Sequence, residues 1–317
     1  MMFRLLLLAL LTLPPAAPAM AQLVPGPGVV VLKREVLADN LFFLYSPETG
    51  AASEPGSQTL WLGGWRKLKH MPRDRVFMTQ IRDGGLEALR QVLKLPDALV
   101  NDPSVTRVPG SADLRMYVTV LSLDDVDHST ERNVLWTARS ADGGTVWTDA
   151  RLVIGQDNGV NVCGGWSPSA LIVGQDICVY YHGNSPCLGV YRTCFAPDGV
   201  TVVQPTRQIS VPYLLANLDV SFQGGRYVMV GDYLGLPTLL EIRALESTDG
   251  ETWQPLRGTV DGLLVRSEEG LVFTPHVSWR LGSFMTLLFS TRTSLTDLDQ
   301  KTLLHRWTIW TPSSLWQ

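Results

Sequence analysis

Ser140-Ala141-Asp142-Gly143-Gly144-Thr145-Val146-Trp147 is a turn followed by a plug. An aspartate here can accept hydrogen bonds from the backbone of its own tight turn, glycine supplies the positive φ, and tryptophan drives the next strand into a core. The same device returns as Ser247-Thr248-Asp249-Gly250-Glu251-Thr252-Trp253 and, weaker, as Ala196-Pro197-Asp198-Gly199-Val200-Thr201-Val202. Asp142 and Asp198 are 56 residues apart, and Asp198 and Asp249 are 51 apart. A period near fifty residues fits a four-stranded propeller blade with generous loops.

A second repeat runs offset from the first. Asn101-Asp102-Pro103-Ser104, Trp166-Ser167-Pro168-Ser169, Leu218-Asp219-Val220-Ser221 and Thr274-Pro275-His276-Val277-Ser278 each open an apolar strand, with serines spaced by 65, 52 and 57 residues. A turn and a second strand rich in aromatic or β-branched residues follow each one, such as Ile177–Tyr181 and Arg226–Val230. Gln58–Trp65 and Arg75–Ile81 read as the first two strands of a further blade, and Ser46–Ser57 as a loop. The expectation is an all-β, five-bladed β-propeller of four-stranded antiparallel blades, at approximately 40–100, 101–160, 161–213, 214–270 and 271–317. Gly85–Leu93 suits either a short helix or a strand, and Leu303–Thr311 an outer strand of the last blade. Either terminus could close the ring. The 28 glycines, 20 prolines, 10 tryptophans and 18% charged residues agree with many short strands and tight turns.

Met1–Ala21 carries one basic residue, Arg4, a leucine-rich run and Ala19-Met20-Ala21, which reads as a signal peptide cleaved before Gln22. Its apolar run is too short to span a membrane, so a secreted or periplasmic monomer without a membrane span is expected. Cys163, Cys178, Cys187 and Cys194 all fall in one predicted blade, and an even number in an exported chain favours disulfides. Folding Ile177–Phe195 as a hairpin sets Cys178 opposite Cys194 and leaves Cys163 to meet Cys187; a zinc site is the rival. A net charge of −4 offers no basic footprint for nucleic acid.

The mouth of a propeller channel is lined by the starts of its inner strands and by the loops after the second strands. The first group gives Asn101, Asp102, Trp166, Ser167, Asn217, Asp219 and His276; the second gives Asp124, Asp125, Asp127, His128, Glu131, His182, Asn184, Asp232, Tyr233 and Arg292. Carboxylates, amides and tryptophan on one face suit a neutral, hydroxyl-rich ligand, an oligo- or polysaccharide. Two bland alternatives stay open: Asp102 as the cap of a turn, and His276 as a hydrogen-bonded structural histidine.

The Ser-x-Asp-(x)-Gly-x-Thr-Trp pattern resembles the Asp box of sialidase-like propellers, where it lies away from the active site. The five blades, the Asp-Pro-Ser openings and the histidine opening the last blade resemble the five-bladed propeller glycoside hydrolases, family 43 arabinanases and xylosidases and family 32 invertases. Asn101-Asp102-Pro103 is similar to the Asn-Asp-Pro motif of the latter. The resemblance implies Asp102 as a catalytic carboxylate and His276 as a channel histidine near a water-mediated structural calcium; no other cofactor is expected. Two carboxyls are needed, about 5 Å apart for retention or about 6.5–9.5 Å for inversion, and Asp102 with Asp219 could supply them, with Asp219 or Glu131 as acid. Two departures stand against it. Trp166-Ser167-Pro168-Ser169 lacks the family's general-acid glutamate, and Gln58-Thr59 stands where relatives carry an aspartate. A non-catalytic propeller binding a glycan or a protein is the competing reading. A sialidase ranks below both, because its Phe-Arg-Ile-Pro segment is missing and five blades exhaust the chain.

Overall fold

The computed structural model describes residues 22–311, apart from 43, 50–57, 65–74, 97, 123–132, 156–163, 185–186, 234–240, 269, 282–283 and 293–300. Among them there is no helix, and 23 strands form five antiparallel sheets. The chain begins with two strands that serve other blades, β1 (Leu23–Pro25) and β2 (Val30–Phe42). Blade 1 follows with β3 (Leu44–Glu48), β4 (Gln58–Gly64) and β5 (Arg75–Arg82), its fourth strand split into β6 (Gly85–Leu86) and β7 (Arg90–Leu93). Gly85–Leu93 is thus strand, not helix. Blade 2 is β8 (Ala98–Arg107), β9 (Leu114–Ser122), β10 (Val134–Ser140) and β11 (Thr148–Ile154). Blade 3 is β12 (Trp166–Val173), β13 (Asp176–His182), β14 (Val190–Phe195) and β15 (Val202–Gln208). In blade 4, β16 (Leu215–Gln223), β17 (Arg226–Tyr233) and β18 (Glu241–Ser247) are followed by the short β19 (Gln254–Pro255) and by β20 (Leu263–Ser267), with β1 added outside β20. Blade 5 is β21 (Leu271–Leu281), β22 (Phe284–Arg292) and β23 (Lys301–Trp310), with β2 as its outermost strand.

The N-terminal end therefore closes the ring, and β23 is third in its sheet rather than outermost. The innermost strands β3, β8, β12, β16 and β21 each neighbour the next around the axis, and β21 returns to β3. One expectation is corrected here. The first inner strand is Leu44–Glu48, not Gln58–Gly64, and Ser46-Pro47-Glu48 lies inside it rather than in a loop.

The core is divided among the five seams between blades. Trp61 and Val76 of blade 1 pack with Val100 and Met116 of blade 2, Tyr117 and Ile154 with Val179 and Phe195, and Cys178 and Tyr180 with Leu218 and Met229. Val228 and Ile242 meet Leu287 and Trp307, and Leu60 and Phe77 meet Leu288 and Leu304 across the closing seam.

The turns that revealed the period clamp these seams. Asp249 accepts the amides of Glu251 at 2.7 Å and Thr252 at 2.8 Å, and Asp142 those of Thr145 at 3.1 Å and Val146 at 3.0 Å. Asp198 takes Val200 at 2.9 Å and Thr201 at 2.8 Å. Each turn then docks on an aromatic ring of the preceding blade. The Tyr117 hydroxyl donates to the Gly199 carbonyl at 3.1 Å and that of Tyr180 to Gly250 at 3.0 Å, while Trp147 sets its ring edge-on to Trp61 at 6.5 Å. Gly250 has φ of +71°, and a Cβ there would lie 2.5 Å from the Tyr180 hydroxyl, so both conformation and contact demand glycine.

Cys178 and Cys194 face each other across β13 and β14 and are disulfide-bonded. Cys187 is also disulfide-bonded; its expected partner Cys163 lies outside the described residues. No described helix is long and apolar enough to cross a membrane.

Candidate functional site on the propeller axis

Every inner strand carries the same irregularity. Its pairing slips between Tyr45 and Glu48, Asn101 and Ser104, Trp166 and Ser169, Ala216 and Asp219, and Phe273 and His276. At each slip one non-glycine residue has a left-handed φ: Ser46 (49°), Asp102 (46°), Ser167 (51°), Asn217 (43°) and Thr274 (50°). Such residues are strained, and five in equivalent places mark a designed bulge. Proline follows four of the five, which removes an amide donor where the ladder is broken anyway.

The bulges build the mouth of the channel in two layers. In the upper layer, Ser46, Asp102, Ser167, Asn217 and Thr274 surround a space of about 20 Å³, together with Glu48, Asp219 and His276 beneath. Asp102 is held rigidly: Ser46 donates to Oδ1 at 2.6 Å and the Thr119 hydroxyl to Oδ2 at 3.0 Å. Thr119 in turn accepts the Ser167 amide at 2.8 Å. Asn217 donates to Asp232 Oδ2 at 2.5 Å. Burial pushes the Asp232 carboxyl well above its ordinary range, opposed by hydrogen bonds from Asn217 and the Thr274 amide and reinforced by the charge of Asp102. A side chain at Gly63 would put Cβ 2.8 Å from the Asp102 amide, so that strand comes close only because it has none.

In the lower layer Glu48, Ser104, Ser169, Asp219 and His276 occupy equivalent positions. Three of them take the backbone amide of the following blade, Ser104 that of Ala170 at 2.9 Å, Ser169 that of Val220 at 2.8 Å and Asp219 that of Val277 at 2.8 Å, while His276 faces Thr49 of the next blade. These side chains stitch the blades together around the axis. Asp219 also accepts from Ser169 at 3.0 Å and lies 3.3 Å from His276 Nδ1. Burial would raise its carboxyl, but the imidazole and the hydrogen bonds from Val277 and Ser169 together hold it below the usual value. Burial likewise opposes charge on His276, while Glu48, with Oε1 at 3.8 Å, and Asp219 raise its pKa to about 9. The Thr49 hydroxyl, 2.7 Å from Nε2, can accept from the charged ring, whereas an amide can donate only to a bare nitrogen, so the hydroxyl is the partner of the imidazolium.

Of the residues expected at the site, Asp102, Ser167, Asn217, Asp219 and His276 line this pocket. Asn101, Trp166, His182, Asp232 and Arg292 do not. Trp166 is half-buried and stacks on His182 at 4.7 Å, and burial lowers the His182 pKa to about 4. Asp232 and Arg292 are buried at 0% and 3% exposure, behind the lining. Glu131, like Asp124, Asp125, Asp127 and His128, falls outside the described residues. Ser46, Glu48 and Thr274 were missed. Their signal was present, since Ser46-Pro47-Glu48 and Thr274-Pro275-His276 match Asp102-Pro103-Ser104 in pattern. The serine alignment also needs correcting: Asp219 and His276, not Ser221 and Ser278, correspond to Ser104 and Ser169.

Glu48, Asp219 and His276 bring ligand atoms within 4.8 Å of one another. Calcium takes six to eight oxygens. Here two carboxylates and one nitrogen are engaged with each other and with the neighbouring blades, so this set does not fit calcium as direct ligands.

No protein-family model matches the sequence, and no curated protein does. Solved structures do. A protein of unknown function from Dyadobacter fermentans superposes with TM-score 0.59 at 11% identity, over 90% of this chain and 100% of its own. A GH43_1 enzyme from Xanthomonas citri complexed with xylose gives 0.57 at 13%, over 86% and 89%. 1,3Gal43A, an exo-β-1,3-galactanase from Clostridium thermocellum, gives 0.59 at 13%, over 87% of this chain and 62% of that one. These solved structures share the propeller architecture of this chain. At these identities the likeness concerns the fold.

Proposed function

We propose that this propeller is carbohydrate-directed and binds a neutral oligosaccharide at the axial mouth. The observation that carries the reading is the convergence of Ser46, Asp102, Ser167, Asn217 and Thr274 on one pocket. Hydroxyls, an amide and one carboxyl group in a fixed ring are the donors and acceptors that sugar hydroxyls require. A space of about 20 Å³ takes one water or hydroxyl, so the ring grips the edge of a sugar rather than enclosing it. The solved neighbours named for xylose and galactan chemistry support the ligand class, and the binding needs no cofactor. Export, on the strength of the amino-terminal sequence, belongs to the same reading, and a monomeric state is proposed with it.

Hydrolysis is the second reading, and one observation favours it. Asp102 and Asp219 both line the mouth, and two carboxyls facing one space are what glycoside cleavage uses. Asp219 suits the acid's part poorly, because its oxygens are committed to Ser169, Val277 and His276. The test is a calorimetric titration with xylo-, arabino- and galacto-oligosaccharides beside an assay on the matching chromogenic glycosides. Binding that weakens in Asp102→Asn and Asn217→Ala without turnover supports a binding module. Turnover lost in Asp102→Asn establishes the hydrolase, and no binding to any of the sugars sinks both.

A further inference from the structure

A second cavity lies on the axis behind the stitched layer. It has a volume of about 290 Å³, and Glu48, Asp219 and His276 border both it and the mouth and so separate them. Those three groups, like the Thr49 hydroxyl, are committed to one another and to the neighbouring blades. What the cavity can hold is therefore set by the rest of its lining.

That lining follows from the strand period. Side chains on one face of a strand recur every second residue. Two places beyond Ser104, Ser169, Asp219 and His276 stand Thr106, Leu171, Ser221 and Ser278, and all four line the cavity. The axis thus carries a third layer, of three hydroxyls and one leucine. Val220, Val277 and Phe222 add apolar wall, and Phe222 is 42% exposed.

The protein satisfies these three hydroxyls poorly. Ser221 reaches the Val228 carbonyl only at 3.5 Å and Ser278 that of Thr286 at 3.3 Å, well beyond the roughly 2.7–2.8 Å of a good O–H···O bond. Thr106 is 2% exposed, and its hydroxyl has no hydrogen-bond partner among the described residues. Each of the three keeps acceptor lone pairs and a proton that can turn into the cavity. A hydrocarbon would leave them unpaired, and an ion would find no uncommitted counter-charge. A neutral molecule that alternates C–H with O–H groups meets both parts of the lining. At about 30 Å³ for each water-sized position, the cavity admits a ligand of roughly ten non-hydrogen atoms.

We propose that this rear axial cavity binds a neutral polyol of about five carbons, its hydroxyls on Thr106, Ser221 and Ser278 and its C–H edge on Val220 and Phe222. The site is separate from the mouth and does not depend on the function of the mouth.

Calorimetric titration of the full chain with xylitol, pentan-1-ol and sodium xylonate tests it. The expected result is saturable binding of xylitol, at least about tenfold tighter than pentanol, and none of xylonate. Thr106→Val keeps the shape of the side chain and removes its hydroxyl, and should weaken xylitol binding by about fivefold. Ser221→Trp, which fills the cavity from its half-buried wall, should abolish it; should this variant fail to fold, Thr106→Val carries the test. Absence of saturable xylitol binding, equal binding of pentanol, or xylitol affinity unmoved by Thr106→Val would each overturn the proposal. Xylitol binding that survives Ser221→Trp but is lost in Asn217→Ala would put the polyol in the mouth and overturn it as well. Oligosaccharide binding at the mouth is read in a separate titration, so the failure of one reading leaves the other standing.

Discussion

Asp249 shows how a single exposed carboxylate can matter to a fold built of turns. Its bonds from the Thr252 and Glu251 amides lower its pKa to about 2, so the stabilisation is present above the unfolded value near 3.8 and is lost as pH falls through about 2. Replacing it by asparagine should lower the melting temperature at neutral pH and flatten the acid limb between those values, so that variant and parent converge below about pH 2. The tryptophan that follows is the larger contributor. Trp253, buried edge-on to Tyr180 at 6.0 Å, should cost about 3–5 kcal/mol when changed to alanine, measured by urea denaturation. These turns were legible in the sequence because everything that makes them is local: aspartate, glycine and tryptophan act within eight residues. Asp102, Ser167 and Asn217 were legible for a related reason, since they open apolar strands. Glu48 was not, because Pro47 and the polar run after it look like a loop until the register of β3 against β4 is seen.

At the scale of the strand, the five bulges explain both the strain and the site. A left-handed residue turns one side chain into the mouth, and the residue two places later turns another toward the next blade's amide. Ser169 does both of its jobs with one hydroxyl, accepting from Val220 and donating to Asp219. Ser169→Ala leaves a buried amide without its acceptor and should destabilise the protein by about 1–3 kcal/mol, against a smaller loss for Ser169→Thr, read from chemical denaturation. The same blade carries Cys178–Cys194, separated by 16 residues and joining β13 to β14. A reductant strong enough to open it in the denatured state should lower stability by about 3 kcal/mol. Sequence spacing placed this pairing correctly because antiparallel strands around a short turn put residues equidistant from it side by side. It misaligned blades 4 and 5 because serine, aspartate and histidine are not recognisable as the same position. What unites them is a backbone slip, and Ser221 and Ser278 offer a false match two residues away.

For the whole molecule, the number of blades followed from the period, while the means of closure did not. Val30–Phe42 has the apolar and charged mixture of an ordinary edge strand, and nothing local says which sheet will take it. A chain that starts after residue 42 should therefore leave β23 as an unpaired edge and lose blade 4's outer strand as well. Calorimetry should show a lower and broader transition for that truncation, with aggregation on heating, whereas retained melting behaviour would falsify the closing role of β2.

Val30 pairs with Trp310 in that seam, so the first long strand to leave the ribosome waits for one of the last. Blades 1 to 4 can organise as they are synthesised, but the circle has no stable end until synthesis is essentially finished. Folding should accordingly be slow, with a late step that depends on a pairing across nearly the whole chain. A circular permutant that makes β2 continuous with β23 would convert that step into a hairpin and should reach the native state faster without changing its structure.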